Sequence, residues 1–121
     1  MCKPSNGWDT IDALDTVIGQ IGLSDKRVDQ LMLDWSQASD FWLRRIAIDH
    51  QRGRKEKTKP GLLAKIIDNN LSREEFFINK AIGWALRDYS KTNPLWVKEF
   101  VASRKNGLAK LSLREASKYL R

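Results

Sequence analysis

The chain has little of what builds disulfide, zinc or membrane proteins. Its 121 residues include one cysteine, Cys2, and one histidine, His50. A lone cysteine excludes an internal disulfide, and a single histidine cannot make a zinc site. No apolar run approaches the ~20 residues needed to span a bilayer. The opening MCKPSNGWDT lacks the apolar stretch of a secretion signal. Runs of alternating polarity are short and β-branched residues do not cluster, so no strand is expected. These absences point to an all-α, metal-free, cytoplasmic protein. His50 reads as a partly exposed helix residue.

What is present suits one folded domain. The hydrophobic fraction is 41%, ordinary for a globular chain of this length. The net charge of +7 is unevenly spread. Residues 1–40 carry three Lys/Arg and seven Asp, a net −4, whereas residues 41–121 carry +11. A basic two-thirds behind an acidic entry segment suits a polyanion partner, or simply a solvated basic surface.

Helix signals recur along the chain. Residues 9–21 place Ile11, Leu14, Val17, Ile18 and Ile21 at helical spacing, with Gly22 as the expected stop. Ser24 is positioned to cap a second helix bearing Val28, Leu31, Met32 and Trp35. Ser39 is positioned to cap a third, to about Gln51, with Trp42, Leu43, Ile46 and Ala47 inward. Pro60 suits the first turn of a fourth, which buries Leu62, Leu63, Ile66 and Ile67. Ser72 and Glu75 spell a capping box for a long fifth helix, to about Lys91. Asn93-Pro94 starts a sixth, with Val97, Phe100 and Val101 inward, ended by Gly107. Ser112 and Glu115 repeat the capping box for a seventh. First helices begin near residues 25, 60 and 94; second helices are capped at residues 39, 72 and 112. That period of 33 to 40 residues predicts a single domain, 1–121, built as a stack of helical hairpins with about six to seven helices. The second helices then line one side.

The fifth helix carries the functional clue. Ile78, Ala81, Ile82, Ala85 and Tyr89 form one apolar stripe. Trp84 falls off it, level with Lys80, Arg87 and Lys91 at i−4, i+3 and i+7. An indole among cations and turned from the core suits something flat and anionic, such as nucleic acid. Gly83, beside it, costs about 1 kcal/mol in a helix relative to alanine, and close packing against another helix is its expected reason. Arg45 shares a face with Asp49 and Arg52, a spacing that fits an intrahelical ion pair. The loop from Arg52 to Pro60 places Arg54, Lys55, Lys57 and Lys59 at one rim. Asp12 lies one turn after Trp8 and away from the apolar stripe, whereas Asp9 suits a helix cap.

The segments WDTID, FWLRRIAI and EFFINKAIGWALRDYSKTNP closely resemble the DNA alkylation repair family typified by AlkD, from about Trp8 to Leu120. The resemblance implies an α-solenoid of HEAT-like repeats. It implies a DNA glycosylase that removes N3- and N7-alkylated purines, 3-methyladenine and 7-methylguanine, from double-stranded DNA without metal or cofactor. By the same resemblance Asp12 is the catalytic carboxylate, Trp8 and Trp84 flank the lesion, and Arg45 and Arg87 contact DNA. Lys80, Lys91, Arg52, Arg54, Lys55 and Lys57 complete the expected DNA-binding set. The family's proteins are about twice as long, so the chain is expected to correspond to their C-terminal half, without the N-terminal repeats. A monomer with no membrane contact is expected. A non-catalytic DNA-binding module and a protein-interaction scaffold are the competing readings.

Overall fold

The structure, a computed structural model, describes residues 17–118, and all regular structure among them is helical. The described part of the first helix, α1, covers 17–24. It is followed by α2 (Arg27–Trp35), α3 (Phe41–Asp49), a 3-10 turn (Lys55–Lys57), α4 (Pro60–Asp68), α5 (Phe76–Ser90), α6 (Pro94–Ser103) and α7 (Lys110–Ala116). Helix α5 lies between α3 and α7 and also packs on α6. Helix α4 packs on α2 and α3. The second helices α3, α5 and α7 therefore form one continuous layer, as the repeat period predicts.

Several hydrogen bonds between successive hairpins share one spacing. The Gly53 amide donates to the Asp88 carboxylate, Asn70 to the Ser36 carbonyl, Ser72 to the Gly107 carbonyl, Ser112 to the Asn79 carbonyl and Arg104 to Asp68. Each pair is 33 to 36 residues apart, one repeat length. The core runs through the stack and includes Met32, Ile46, Ile66, Ile78, Leu86 and Val97. Helix α5 meets helix α7 closely at Gly83. A Cβ there would stand 2.8 Å from Glu115 Cβ and 3.2 Å from Ser112 Cα, so the glycine is there for packing.

Several helix boundaries depart from expectation, some because a neighbouring residue caps instead and some because a tertiary partner outbids the local signal. Gly22 does not end α1; it is buried within it, and a Cβ there would meet the Arg54 guanidinium at 2.6 Å. Ser24 does not cap α2; its hydroxyl turns back to the Ile21 carbonyl at 3.4 Å, and the Asp25 carboxylate accepts the Arg27 amide at 3.0 Å. Asp40, not Ser39, caps α3 by accepting the Trp42 amide at 2.9 Å. Neither capping box forms. Ser72 is in the left-handed region at φ 63°, outside any helix, and Glu75 pairs with Arg73. Ser112 lies inside α7 with its hydroxyl on the Asn79 carbonyl at 2.7 Å, and Glu115 pairs with Arg87. Asn93 caps α6 as expected, accepting the Trp96 amide at 3.1 Å. That helix ends at Ser103, with Gly107 in the turn beyond. Leu31 is exposed rather than inward.

His50 is also corrected. It is buried, not partly exposed, with Nδ1 donating to the Ala47 carbonyl at 2.7 Å. Burial pushes its pKa down to about 4.

Candidate nucleic-acid interface

On α5 the inner stripe is Ile78, Ile82 and Leu86, each essentially inaccessible, whereas Trp84 is 39% exposed. The 100° step per residue separates the two faces, and tertiary packing keeps them apart. Lys80 Nζ and the Arg52 guanidinium carbon stand 5.5 and 5.3 Å from the indole centroid, within cation–π range. Arg52 comes from the residues just past α3, so two neighbouring second helices meet at this ring.

Two clefts open on either side. One, of about 140 Å³, is lined by Arg45, Asp49, Arg52, Phe77, Lys80, Ala81 and Trp84. The other, of about 220 Å³, is lined by Arg52, Trp84, Arg87, Asp88 and Lys91. Within the first, Arg45 Nε lies 3.6 Å and Arg52 Nη1 3.9 Å from Asp49 Oδ2. The ion pair read from the spacing is formed, and it forms inside the cleft. Arg45 is only 5% exposed, so it borders the cleft from within rather than extending from a surface. Arg87 is half-buried and held by Glu115 of α7 at 3.3 Å.

Of the residues singled out in the sequence, the structure brings Arg45, Arg52, Lys80 and Trp84 around one cleft and adds Arg87 and Lys91 at its neighbour. Lys55 and Lys57 are exposed on the 3-10 turn. Arg54 is a correction. Instead of standing at the rim it is buried, donating to the Gly19 carbonyl at 2.7 Å and to Gln51 Oε1 at 3.2 Å. Lys59 is tied to Asp29 at 2.5 Å. Trp8 and Asp12 lie outside the described residues. Sequence reading passed over Phe77, which lines the cleft, stacks against Phe41 at 6.0 Å and meets Trp42 at a tilt at 5.8 Å. Its signal was available: Phe77 is two helical turns before Trp84 and one before Lys80.

Among the described residues no group of three or more potential metal ligands converges, and no helix is long and apolar enough to cross a membrane. Among the described residues the site offers an aromatic face, several cations and two carboxylates, Asp49 and Asp88, in a stack of paired helices. The comparisons with known proteins place that arrangement in a family. The sequence model described as DNA alkylation repair enzyme matches residues 1–120, and the chain belongs to that family. A solved structure described as a predicted DNA alkylation repair enzyme from Enterococcus faecalis is 44% identical, with a TM-score of 0.83. The match covers 93% of this chain and 53% of that one, so this chain spans about half the length of that relative. No curated protein matches this chain.

Proposed function

We propose that this protein is a DNA glycosylase of the AlkD type, acting on N3- and N7-alkylated purines such as 3-methyladenine and 7-methylguanine in double-stranded DNA. The observation that supports it most is the exposed indole of Trp84, set between Arg52 and Lys80 at the mouth of a cleft, in a member of an alkylation repair family. In this reading duplex DNA lies along the α3–α5–α7 layer. Arg87, Lys91, Lys55 and Lys57 hold phosphates, and Trp84 stacks near the altered nucleotide. The protein acts as a monomer in the cytoplasm and needs no cofactor.

The chemistry asks little of the protein. Alkylation at N3 or N7 gives the purine a positive charge, so it leaves without being protonated. As the bond from the sugar C1′ to the purine N9 breaks, its electron pair neutralises the base and leaves an oxocarbenium ion. Water adds at C1′ and loses a proton, giving an abasic sugar and free alkylpurine. Asp12 is assigned the stabilisation of that cation and the guiding of the water.

The test is direct. The purified chain is incubated with duplex DNA containing 7-methylguanine, and released base is measured by chromatography. Release above the rate of the DNA alone supports the glycosylase. Binding without release favours the non-catalytic DNA-binding module. With neither binding nor release, the scaffold reading stands.

A further inference from the structure

The cleft in front of Trp84 has a particular charge balance. Its described lining carries three cations, Arg45, Arg52 and Lys80, and one carboxylate, Asp49. The Asp49 side chain is 1% exposed, with Oδ2 between Arg45 Nε at 3.6 Å and Arg52 Nη1 at 3.9 Å. The three residues recur at i, i+4 and i+7 along one face of α3 and the residues just past it.

Phosphate recognition has no use for that carboxylate. Arg45 and Arg52 would hold a phosphate better without an internal anion competing for them. A positively charged ligand is in the opposite position. Removing the Asp49 charge would raise the positive potential of the cleft and disfavour such a ligand, and the Trp84 ring already has two cations within 5.5 Å.

We propose that Asp49 is a specificity residue: it lowers the positive potential of the Trp84 cleft so that a cationic alkylated purine is favoured over a neutral base of the same shape. The proposal rests on the glycosylase reading and names the property of the lesion that the cleft recognises, its charge. Asp49 acts through the field in the cleft and through the placement of its two arginines.

The test compares two duplexes that differ in one charge. One contains 2′-fluoro-7-methylguanosine, whose base is cationic and whose sugar resists hydrolysis. The other contains the 2′-fluoro nucleoside of 7-methyl-7-deazaguanine, the same shape without the charge. The quantity read is the ratio of the two dissociation constants, which does not change if part of a variant is unfolded. The unmutated protein prefers the cationic duplex. Asp49→Asn lowers that preference about tenfold, the effect of one unit charge at a few ångströms in partly solvated protein. Asp49→Glu restores most of it. Arg52→Gln removes a cation from the same cleft and raises the preference, and it decides the matter if Asp49→Asn does not fold. A purely structural role for Asp49 weakens both duplexes in parallel and overturns the proposal, as does an Arg52→Gln ratio that stays the same or falls. Absence of any preference in the unmutated protein overturns the lesion-recognition reading itself.

Discussion

The Arg52 guanidinium carbon sits 5.3 Å from the centre of the Trp84 indole, and both residues line both clefts. The cationic surface is therefore continuous from the residues after α3 across the middle of α5. Duplex binding should follow ionic strength accordingly. With Lys55, Lys57, Arg87 and Lys91 each neutralising one phosphate, log K falls with log salt at a slope of about −4. Arg87→Ala flattens that slope by about one unit. A titration series from low to moderate salt checks both, and an affinity indifferent to salt would remove DNA as the partner.

Gly83→Ala should destabilise the protein by about 1–3 kcal/mol, although alanine is the better helix former. The added methyl meets Glu115 Cβ at 2.8 Å, and the Ser112 backbone behind it cannot swing aside. Denaturant melts of the two proteins measure the difference. A gain in stability would mean that α7 moves freely relative to α5.

Two cations of the same loop should behave oppositely. Arg54→Met removes hydrogen bonds to Gly19 and Gln51 from a buried site and costs about 2–4 kcal/mol of stability. Lys57→Ala leaves stability within about 0.5 kcal/mol and weakens DNA binding, because Lys57 is exposed. Thermal melts and binding titrations on both variants separate the roles.

His50 makes stability depend on pH. Its folded pKa of about 4 lies below the usual 6.5, so the unfolded chain binds a proton that the folded one refuses. Stability is full above about pH 6.5 and declines as pH falls toward 4, by up to about 3 kcal/mol, with no further loss from this group below that. Denaturation curves at pH 7 and pH 4.5 should show the decline, and His50→Asn should flatten it.

Asp12→Asn should reduce single-turnover excision of 7-methylguanine by about 10²-fold or more, with DNA affinity little changed. Asp9→Asn serves as the control, since asparagine caps helices about as well as aspartate. Rapid-quench kinetics with protein in excess give both rates. A chain in which Asp9 is essential and Asp12 dispensable would have a different catalytic turn from the one assigned.

The elements whose signals are local were legible in the sequence. Pro60 starts α4, Asn93 caps α6, and the Ile78/Ile82 stripe sets which way α5 faces and leaves Trp84 outside. Apart from local competition for the caps of α2 and α3, what misled were polar residues whose partners lie a whole hairpin away. Ser72 and Ser112 have the spacing of capping boxes, yet the Ser72 amide bonds to Gly107 and the Ser112 hydroxyl to Asn79. Arg54 looks like part of a solvated basic run until Gly19 is folded against it. His50 is buried for the same reason, with Gly19 against its backbone carbonyl. Phe77 joins the cleft because Phe41 and Trp42 of the preceding hairpin support its ring. Local pattern sets the helices; long-range contact decides which polar groups remain for function.

The 33-to-36-residue reach that several inter-hairpin hydrogen bonds share has a mechanical meaning. Each bond fastens a layer to the adjacent one, so the molecule resembles stacked plates riveted in pairs. Such a stack flexes and unravels from its ends. A stiff polyanion laid across α3, α5 and α7 would act as a splint, fixing the curvature of the stack.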